Sequence, residues 1–510
     1  MTVRPIRRVL VANRGEIALR IMRACRDEGL ETVAVYSDAD AQAPFVRAAD
    51  QSMRIGPPAP GESYLRIDAL IAAAQATGAD AVHPGYGFLS ERAAFAQAVT
   101  DAGLIFIGPP ASAIVAMGDK TSARRLMAAA GVPIVPGSTK ALTDPDEAAI
   151  VAQEIGYPVL VKAAAGGGGK GMRIVRTPAE LPGALTTASS EALKSFGDGS
   201  VYLEKYIELP RHVEIQILAD HVRTIHVGER ECSIQRRHQK LVEEAPSVAV
   251  TAELRERMGA AAVAAGMAVG YRGAGTCEFL LAANGEFYFL EMNTRIQVEH
   301  PVTEQVYGVD LVREQLRIAA GLPMSIPEGP LVPRGWAIEC RITSEDPANG
   351  LLPSAGVIRW LRAPAGPGIR WESGVESGSE VTLYYDSMLA KLIAHAPDRL
   401  RAIAVMQRAL QELTVVGVAT NAPFHRQLLA DPAFQRGDID IQFLERRPDL
   451  LAPADDDATV ERIAIAAALL AEDHRISRRV SAAPGAASAS TSVSVGASAW
   501  TQRARRDGLR

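Results

Sequence analysis

Hydrophobic positions near the start of the chain fall into short apolar runs separated by stretches with helical spacing. Arg8 to Ala12 predicts a strand, Asn13-Arg14-Gly15-Glu16 a turn, and Ile17, Ile21, Ala24 and Cys25 recur with the period of a helix. Thr32 to Tyr36, Ala79 to His83 and Leu104 to Ile107 continue the strand series, with His83-Pro84-Gly85-Tyr86-Gly87 as a strand-to-helix loop. This order predicts a doubly wound α/β unit over about residues 1–115, its ligand-facing loops lying beyond the strand ends.

The pattern changes after about residue 120. Tyr157 to Lys162 predicts a strand ending in a lysine, Gly166 to Gly169 follows, and Met172 to Val175 returns as its partner, so two strands joined by glycines form a hairpin able to move as a flap. Val201 to Ile207, His212 to Leu218 and Thr224 to Val227 are expected to extend one mostly antiparallel sheet. Thr276 to Leu281 and Phe287 to Asn293 flank Asn284-Gly285, a pair that tolerates the positive φ of a tight turn. A third region, about 330–446, holds apolar runs at Ala337 to Arg341, Val357 to Trp360 and Ser387 to Ile393, then a helical segment at Arg399 to Glu412. Beyond Pro448 the composition turns to Pro, Asp and Ala. Ile463 to Leu470 predicts an extra helix, and Ser481 to Ala499 reads as a disordered low-complexity tail.

Composition narrows the class. With 510 residues, 48% of them hydrophobic, the chain can bury more than one core. The formal charge of −5, with Lys and Arg dispersed, calls for no nucleic-acid partner. Cys25, Cys232, Cys277 and Cys340 are scattered without metal-ligand spacing, which suits a reducing compartment. Met1 to Val11 lacks an export signal, and the Ala-rich runs fall short of the roughly 20 residues that span a bilayer. A cytoplasmic enzyme, away from the membrane, is expected.

The chemistry concentrates in two places. Gly166-Gly167-Gly168-Gly169 lets backbone amides approach phosphate, with Lys162 and Lys170 offsetting its charge, although the run lacks the ending of a P-loop. Asn13-Arg14-Gly15-Glu16 is compatible with phosphate binding and equally with a plain tight turn. Glu204 to Ile207 offers an adenine slot, and His212 either a ligand contact or a structural hydrogen bond. In the second place, Glu278 on one strand faces Glu291 and Asn293 on its hairpin partner, a set of hard oxygen donors suited to magnesium. The alternation from Glu291 through Asn293, Arg295 and Gln297 to Glu299 predicts an extended backbone with all five side chains on one side. Glu231 to Lys240 is either a charged surface turn or a source of anion contacts, with Lys240 and Arg295 holding a small anion and Gln235 and His238 positioning it.

Val11 to Ala18, His83 to Glu91, Arg236 to Lys240 and Glu291 to His300, taken as an ordered set over about residues 5–446, resemble the biotin carboxylase family. The resemblance implies an N-terminal doubly wound α/β domain at 1–115, an ATP-grasp centre at 116–330 with a mobile lid at about 135–208, and a C-terminal closing domain at 331–446; 447–510 would be an added helix and tail. It implies ATP contacts at Lys120, Lys162, Gly168, Gly169, Glu204, Lys205, Ile207 and His212, and two magnesium or manganese ions on Glu278, Glu291 and Asn293. Bicarbonate would meet Lys240, Arg295, Gln297 and Val298. Glu299 resembles the base that deprotonates bicarbonate, and Arg341 the cation that stabilises deprotonated biotin. The Ala-Met-Lys-Met biotin-attachment sequence does not occur here, so a separate biotin carboxyl carrier protein and a separate carboxyltransferase are expected, as are a homodimer and acetyl-CoA as the leading final acceptor. The competing readings are an amide-forming ATP-grasp ligase and a noncatalytic component of a carboxylase complex.

Overall fold

The computed structural model describes residues 3–451 except 139–141, 143, 164–171, 197, 198 and 238, and beyond them only Ile465, Ala468, Leu469 and Glu472. The first sheet has five parallel strands in the order Gln51–Gly56, Glu31–Ser37, Arg8–Val11, Ala81–His83, Ile105–Phe106. Successive side chains of the central strand point to opposite faces. Val9 and Val11 accordingly pack with Ile17, Ile21 and Met22 of the helix Gly15–Asp27, while Leu10 packs with Leu70, Phe95 and Val99 from helices on the other side. Both faces are covered, which is why Val9, Leu10 and Val11 are apolar in succession instead of alternating. The strand order reverses direction between Arg8–Val11 and Ala81–His83. The loops that leave those two strands therefore flank the crevice where such sheets usually carry function.

The central sheet has eight antiparallel strands in the order Phe287–Asn293, Gly273–Leu281, Arg211–Ala219, Thr224–Arg236, Gln239–Ala245, Trp336–Thr343, Met388–Ala396, Ile369–Ser373. The third region thus joins the sheet directly, with Cys340 registered on Val242. The helix Arg399–Glu412 lies against these strands, burying Ala402, Ile403, Met406, Ala409 and Leu410 in their core.

A separate three-stranded sheet, Arg173–Val175, Val159–Ala163, Val201–Lys205, carries its own core. That core includes Ala148 and Ala152 from the helix Pro145–Ile155, and Leu181, Leu185 and Ala188 from Leu181–Phe196.

Three expectations need correction. The single sheet expected to run from Val201 to Leu218 is two sheets: the strand stops at Lys205, and Pro210, which has no amide hydrogen for a ladder, precedes the next strand at Arg211. The run Val357 to Trp360 is split between Gly356–Val357 and Trp360–Arg362, which pair with different partners, while Ile358 between them is buried in a small core of its own. The extended stretch from Glu291 to Glu299 is a strand only to Asn293; it then bends, and Glu299 immediately precedes the helix His300–Tyr307. Ile296 explains the bend, because it is fully buried in the core of the N-terminal unit and draws the chain out of the sheet.

Ala454–Arg510 forms a second unit, in which Ile465, Ala468, Leu469 and Glu472 are helical. Ser481 to Ala499 lies outside the described residues. Among the described residues no helix is long and apolar enough to cross a membrane.

Candidate active site

The ladder of the central sheet sets Arg230, Glu214, Glu278 and Glu291 side by side on four neighbouring strands. Directly paired residues lie on the same face, so the carboxylates of Glu214 and Glu278 would repel unless cations met them. Two do. Lys240 Nζ donates to Glu214 Oε2 at 2.6 Å, Glu278 Oε1 at 2.9 Å and Glu299 Oε1 at 2.6 Å. Arg230, fully buried, pairs with Glu214 and donates to Gln216, Thr303, Thr276 and Gln297 at 2.7–3.1 Å. The side-chain amide of Gln297 donates in turn to Glu278 Oε1 at 2.9 Å.

Glu299 is the hinge of this array. One of its oxygens meets Lys240; the other accepts from Arg341 Nη2 at 3.0 Å. Burial alone would favour its neutral form, but Lys240, Arg341 and Arg230 hold it ionised far below the usual carboxylate range. Burial likewise opposes the charge on Lys240, and Glu214, Glu299 and Glu278 reverse the effect, keeping the ammonium charged well above an ordinary lysine. Arg341 Nε donates to Glu243 Oε1 at 2.6 Å, while Glu243 Oε2 is buried without a partner. Burial pushes Glu243 up to about 7, against the pull of Arg341. Removing one member of so buried an array leaves an uncompensated charge, so its value lies in fixed geometry more than in net stability.

The residues proposed for metal sit together in part. Asn293 Nδ2 donates to Glu278 Oε1 at 2.8 Å, and Glu291 stands opposite Glu278 in the ladder. These hard oxygen donors suit magnesium. His212 Nε2 lies 3.1 Å from Glu278 Oε2, and Gln235 Nε2 lies 3.0 Å from His212 Nδ1, so Gln235 and His212 orient this carboxylate. Among the described residues, His212, Glu214 and Glu278 bring their ligand atoms within 4.8 Å of one another. The carboxylate of Glu278 is held well below its usual range: burial opposes this, and Lys240 and His212 outweigh it.

Lys240 and Arg295, expected to share an anion, have different partners. Arg295 donates to Glu91, Asn293 and Ile296, and only the Asn293–Glu278 bond links it to the Lys240 array among the described contacts. Beside it lies a cavity of about 400 Å³ lined by Glu91, Met117, Phe289, Glu291, Asn293 and Thr294. The carbonyl of Val298 accepts from Lys391 Nζ at 2.9 Å. Lys391 is fully buried between Glu372 and Glu16. The run from Glu231 to Lys240 is a surface turn only at its tip: Glu231 to Ile234 is buried strand, and the chain reverses at the exposed Arg237, where φ is +50°.

On the small sheet, Lys162 and Arg124 both pair with Glu204. Lys205 Nζ donates to the carbonyls of Gly156 and Tyr157 at 2.8 and 3.0 Å, just beyond the helix Pro145–Ile155. Ile207 is half-buried in the segment after the strand. Lys120 opens the helix Lys120–Ala129, capped by Asp119, which accepts from the Ser122 amide. The side chain of Lys120, and Gly168, Gly169 and His238 entirely, lie outside the described residues.

Sequence reasoning missed Glu214, Arg230, Glu243, Glu91 and Lys391. Glu214 was within reach, because His212, Glu214 and Gln216 alternate with Val213, Ile215 and Ile217 along Arg211–Ala219. Arg230 was harder. Irregular register between His226 and Glu229, and again between Glu231 and Ile234, destroys the alternation on its strand.

Three family descriptions match in succession: biotin carboxylase N-terminal domain over residues 5–114, carbamoyl-phosphate synthase L chain ATP binding domain over 119–326, and biotin carboxylase C-terminal domain over 339–446. The chain belongs to the biotin carboxylase family. Its architecture is that of the family: an N-terminal biotin carboxylase domain, an ATP-grasp centre and a C-terminal domain. A pyruvate carboxylase subunit of Methanothermobacter thermautotrophicus is 53% identical over 439 residues, covering 86% of this chain and 89% of that protein. Biotin carboxylase 1 of Bacillus subtilis is 52% identical over 442 residues, covering 86% and 98%. Among solved structures, the biotin carboxylase domain dimer of Hydrogenobacter thermophilus 2-oxoglutarate carboxylase, in complex with MgADP, ADP and bicarbonate, matches with a TM-score of 0.79 and 47% identity over 88% of this chain and 99% of that one.

Proposed function

We propose that this chain uses ATP and bicarbonate to carboxylate biotin held on a separate carrier protein, releasing ADP and phosphate. The observation that carries the reading is Glu299, buried with one oxygen on Lys240 and the other on Arg341. With Glu299 so held, it is a weak base until another anion shares its cations. Bicarbonate drawn to Arg295, and taking part of Lys240, divides that field between two anions and raises the basicity of Glu299. Glu299 then accepts the bicarbonate proton, and a bicarbonate oxygen bonds to the γ-phosphorus of ATP as the bond to the ADP oxygen breaks. The carboxyphosphate formed breaks its C–O bond to give CO2 and phosphate, and the phosphate takes the ureido N–H proton. The ureido nitrogen bonds to CO2 while Arg341, a fixed cation, stabilises the negative charge on the ureido oxygen.

Glu278, Glu291 and Asn293 would hold divalent magnesium, which when bound neutralises charge on the ATP phosphates. Lys162 and Glu204 would serve the nucleotide, with Lys120, Gly168, Gly169, Lys205, Ile207 and His212. The paired strands Val159–Ala163 and Arg173–Val175, joined by the glycine-rich segment, support a lid over about 135–208. We take acetyl-CoA as the final acceptor, reached through a separate carboxyltransferase, and a homodimer as the working form; the relative whose structure carries bicarbonate is described as a dimer.

Labelled bicarbonate, ATP and magnesium are incubated with the protein and biotin or a biotinylated carrier. Label appears in carboxybiotin with release of ADP. ATP turnover without carboxybiotin under every form of biotin presentation rejects the proposal.

A further inference from the structure

The loop from His83 to Glu91 has a defined shape and no role in the proposed reaction. Gly85, Gly87 and Phe88 adopt φ of +62°, +68° and +42°. Asn13 Nδ2 donates to the carbonyls of Pro84 at 2.8 Å and Tyr86 at 2.7 Å, and a Cβ on Gly85 would stand 2.8 Å from that same nitrogen. Glycine is therefore required at 85 both by its backbone angle and by the approach of Asn13. The turn after Arg8–Val11 thus moulds the loop after Ala81–His83, and the loop ends by delivering Glu91.

Glu91 Oε1 accepts the Thr294 amide at 3.0 Å, and Oε2 accepts Arg295 Nε–H at 3.0 Å. Arg295 Nη2 donates to Asn293 Oδ1 at 2.9 Å, and Nη1 to the Ile296 carbonyl at 3.2 Å. A guanidinium has five N–H donors. These bonds use three, so among the described contacts one N–H remains on each terminal nitrogen. Two N–H groups of one guanidinium are what a bidentate grip on a carboxylate-like anion requires. The Glu91 and Arg295 side chains are 41% and 19% exposed, a setting in which an ion pair adds little to stability and its benefit is orientation.

We propose that Glu91 is a positioning residue for Arg295, gripping Nε and the Thr294 amide so that the terminal edge of the guanidinium faces bicarbonate. The inference rests on the carboxylase reading and adds to it a tie from the N-terminal unit to the anion site.

The test compares wild type, Glu91→Ala, Arg295→Ala and the double variant in bicarbonate-dependent ATP cleavage. Glu91→Ala is expected to raise the bicarbonate KM about tenfold, the scale of one charge-assisted hydrogen bond, with the ATP KM unchanged. In the Arg295→Ala background the same substitution adds nothing. An unchanged bicarbonate KM, a parallel rise in both KM values, or additive losses overturns the proposal. Wild-type protein without bicarbonate-dependent cleavage would instead sink the carboxylase reading. The clamp is then decided by a crystal structure of Glu91→Ala: Arg295 detached from Asn293 and Ile296 supports it, and Arg295 in place refutes it.

Discussion

Lys240 and Lys162 both meet glutamate, but in opposite settings. Lys240 sits on the central sheet, 12% exposed, among three carboxylates that are themselves buried. Lys162 sits on the small three-stranded sheet, 36% exposed, and shares Glu204 with Arg124. In the first setting every charge has a fixed counterpart, and moving one shifts the ionisation of the rest. In the second, water reaches the lysine and Arg124 also meets Glu204, which is 14% exposed, so the lysine can exchange partners at smaller cost. The fold therefore divides the labour we propose: rigid electrostatics where bonds change, and adaptable contacts where a nucleotide enters and leaves.

The comparison breaks most visibly at Glu299. Glu299→Gln removes the base while keeping the side-chain shape, and kcat should fall by about 10²- to 10⁴-fold with little change in the ATP KM. Steady-state kinetics check this, and a loss confined to the ATP KM would assign Glu299 to the nucleotide. Lys162→Gln should do the converse. Its ATP KM rises about ten- to a hundredfold, the worth of a charge-assisted hydrogen bond, while kcat stays near wild type. Equal falls in kcat for both variants would erase the distinction between the two settings.

The smallest effect concerns acid. Glu278 and Glu299 remain ionised in the fold below their ordinary value of 4.5, where the unfolded chain takes up their protons. Their contribution to stability is therefore complete above about pH 5 and is lost progressively as pH falls. Glu299→Gln should start from a lower Tm at pH 7, because Lys240 and Arg341 lose their shared counter-ion, yet fall less steeply between pH 5 and pH 3. The difference in the two declines should be on the order of a few degrees, readable by thermal melts across that range. Parallel curves would mean that Glu299 is not held ionised by its neighbours.

Much of the fold was legible because its signals are local. The hairpin around Asn284-Gly285 and the helix Arg399–Glu412 follow from turn chemistry and helical period, and both form where expected. The stretch after Asn293 was misread for a physical reason: Ile296 is drawn into a core built largely from the N-terminal sheet and the helix Gly15–Asp27, which period-2 alternation cannot register. Partnerships were hidden in the same way. Glu91 and Arg295 lie 204 residues apart, and Lys391 and Val298 93 apart. Sequence motifs singled out Arg295 and Glu299; the sheet register adds that Glu214 and Arg230 stand in line with Glu278.

In the reaction we propose, bicarbonate activated at Glu299 attacks ATP itself. Bicarbonate labelled with oxygen-18 tests it directly, with the released phosphate analysed by mass. One labelled oxygen per turnover should appear in phosphate, because carboxyphosphate leaves its bridging oxygen there, and Glu299→Gln should slow the transfer by the same factor as kcat. Unlabelled phosphate from a protein that still cleaves ATP in the presence of bicarbonate would show that water is the nucleophile and would contradict the account.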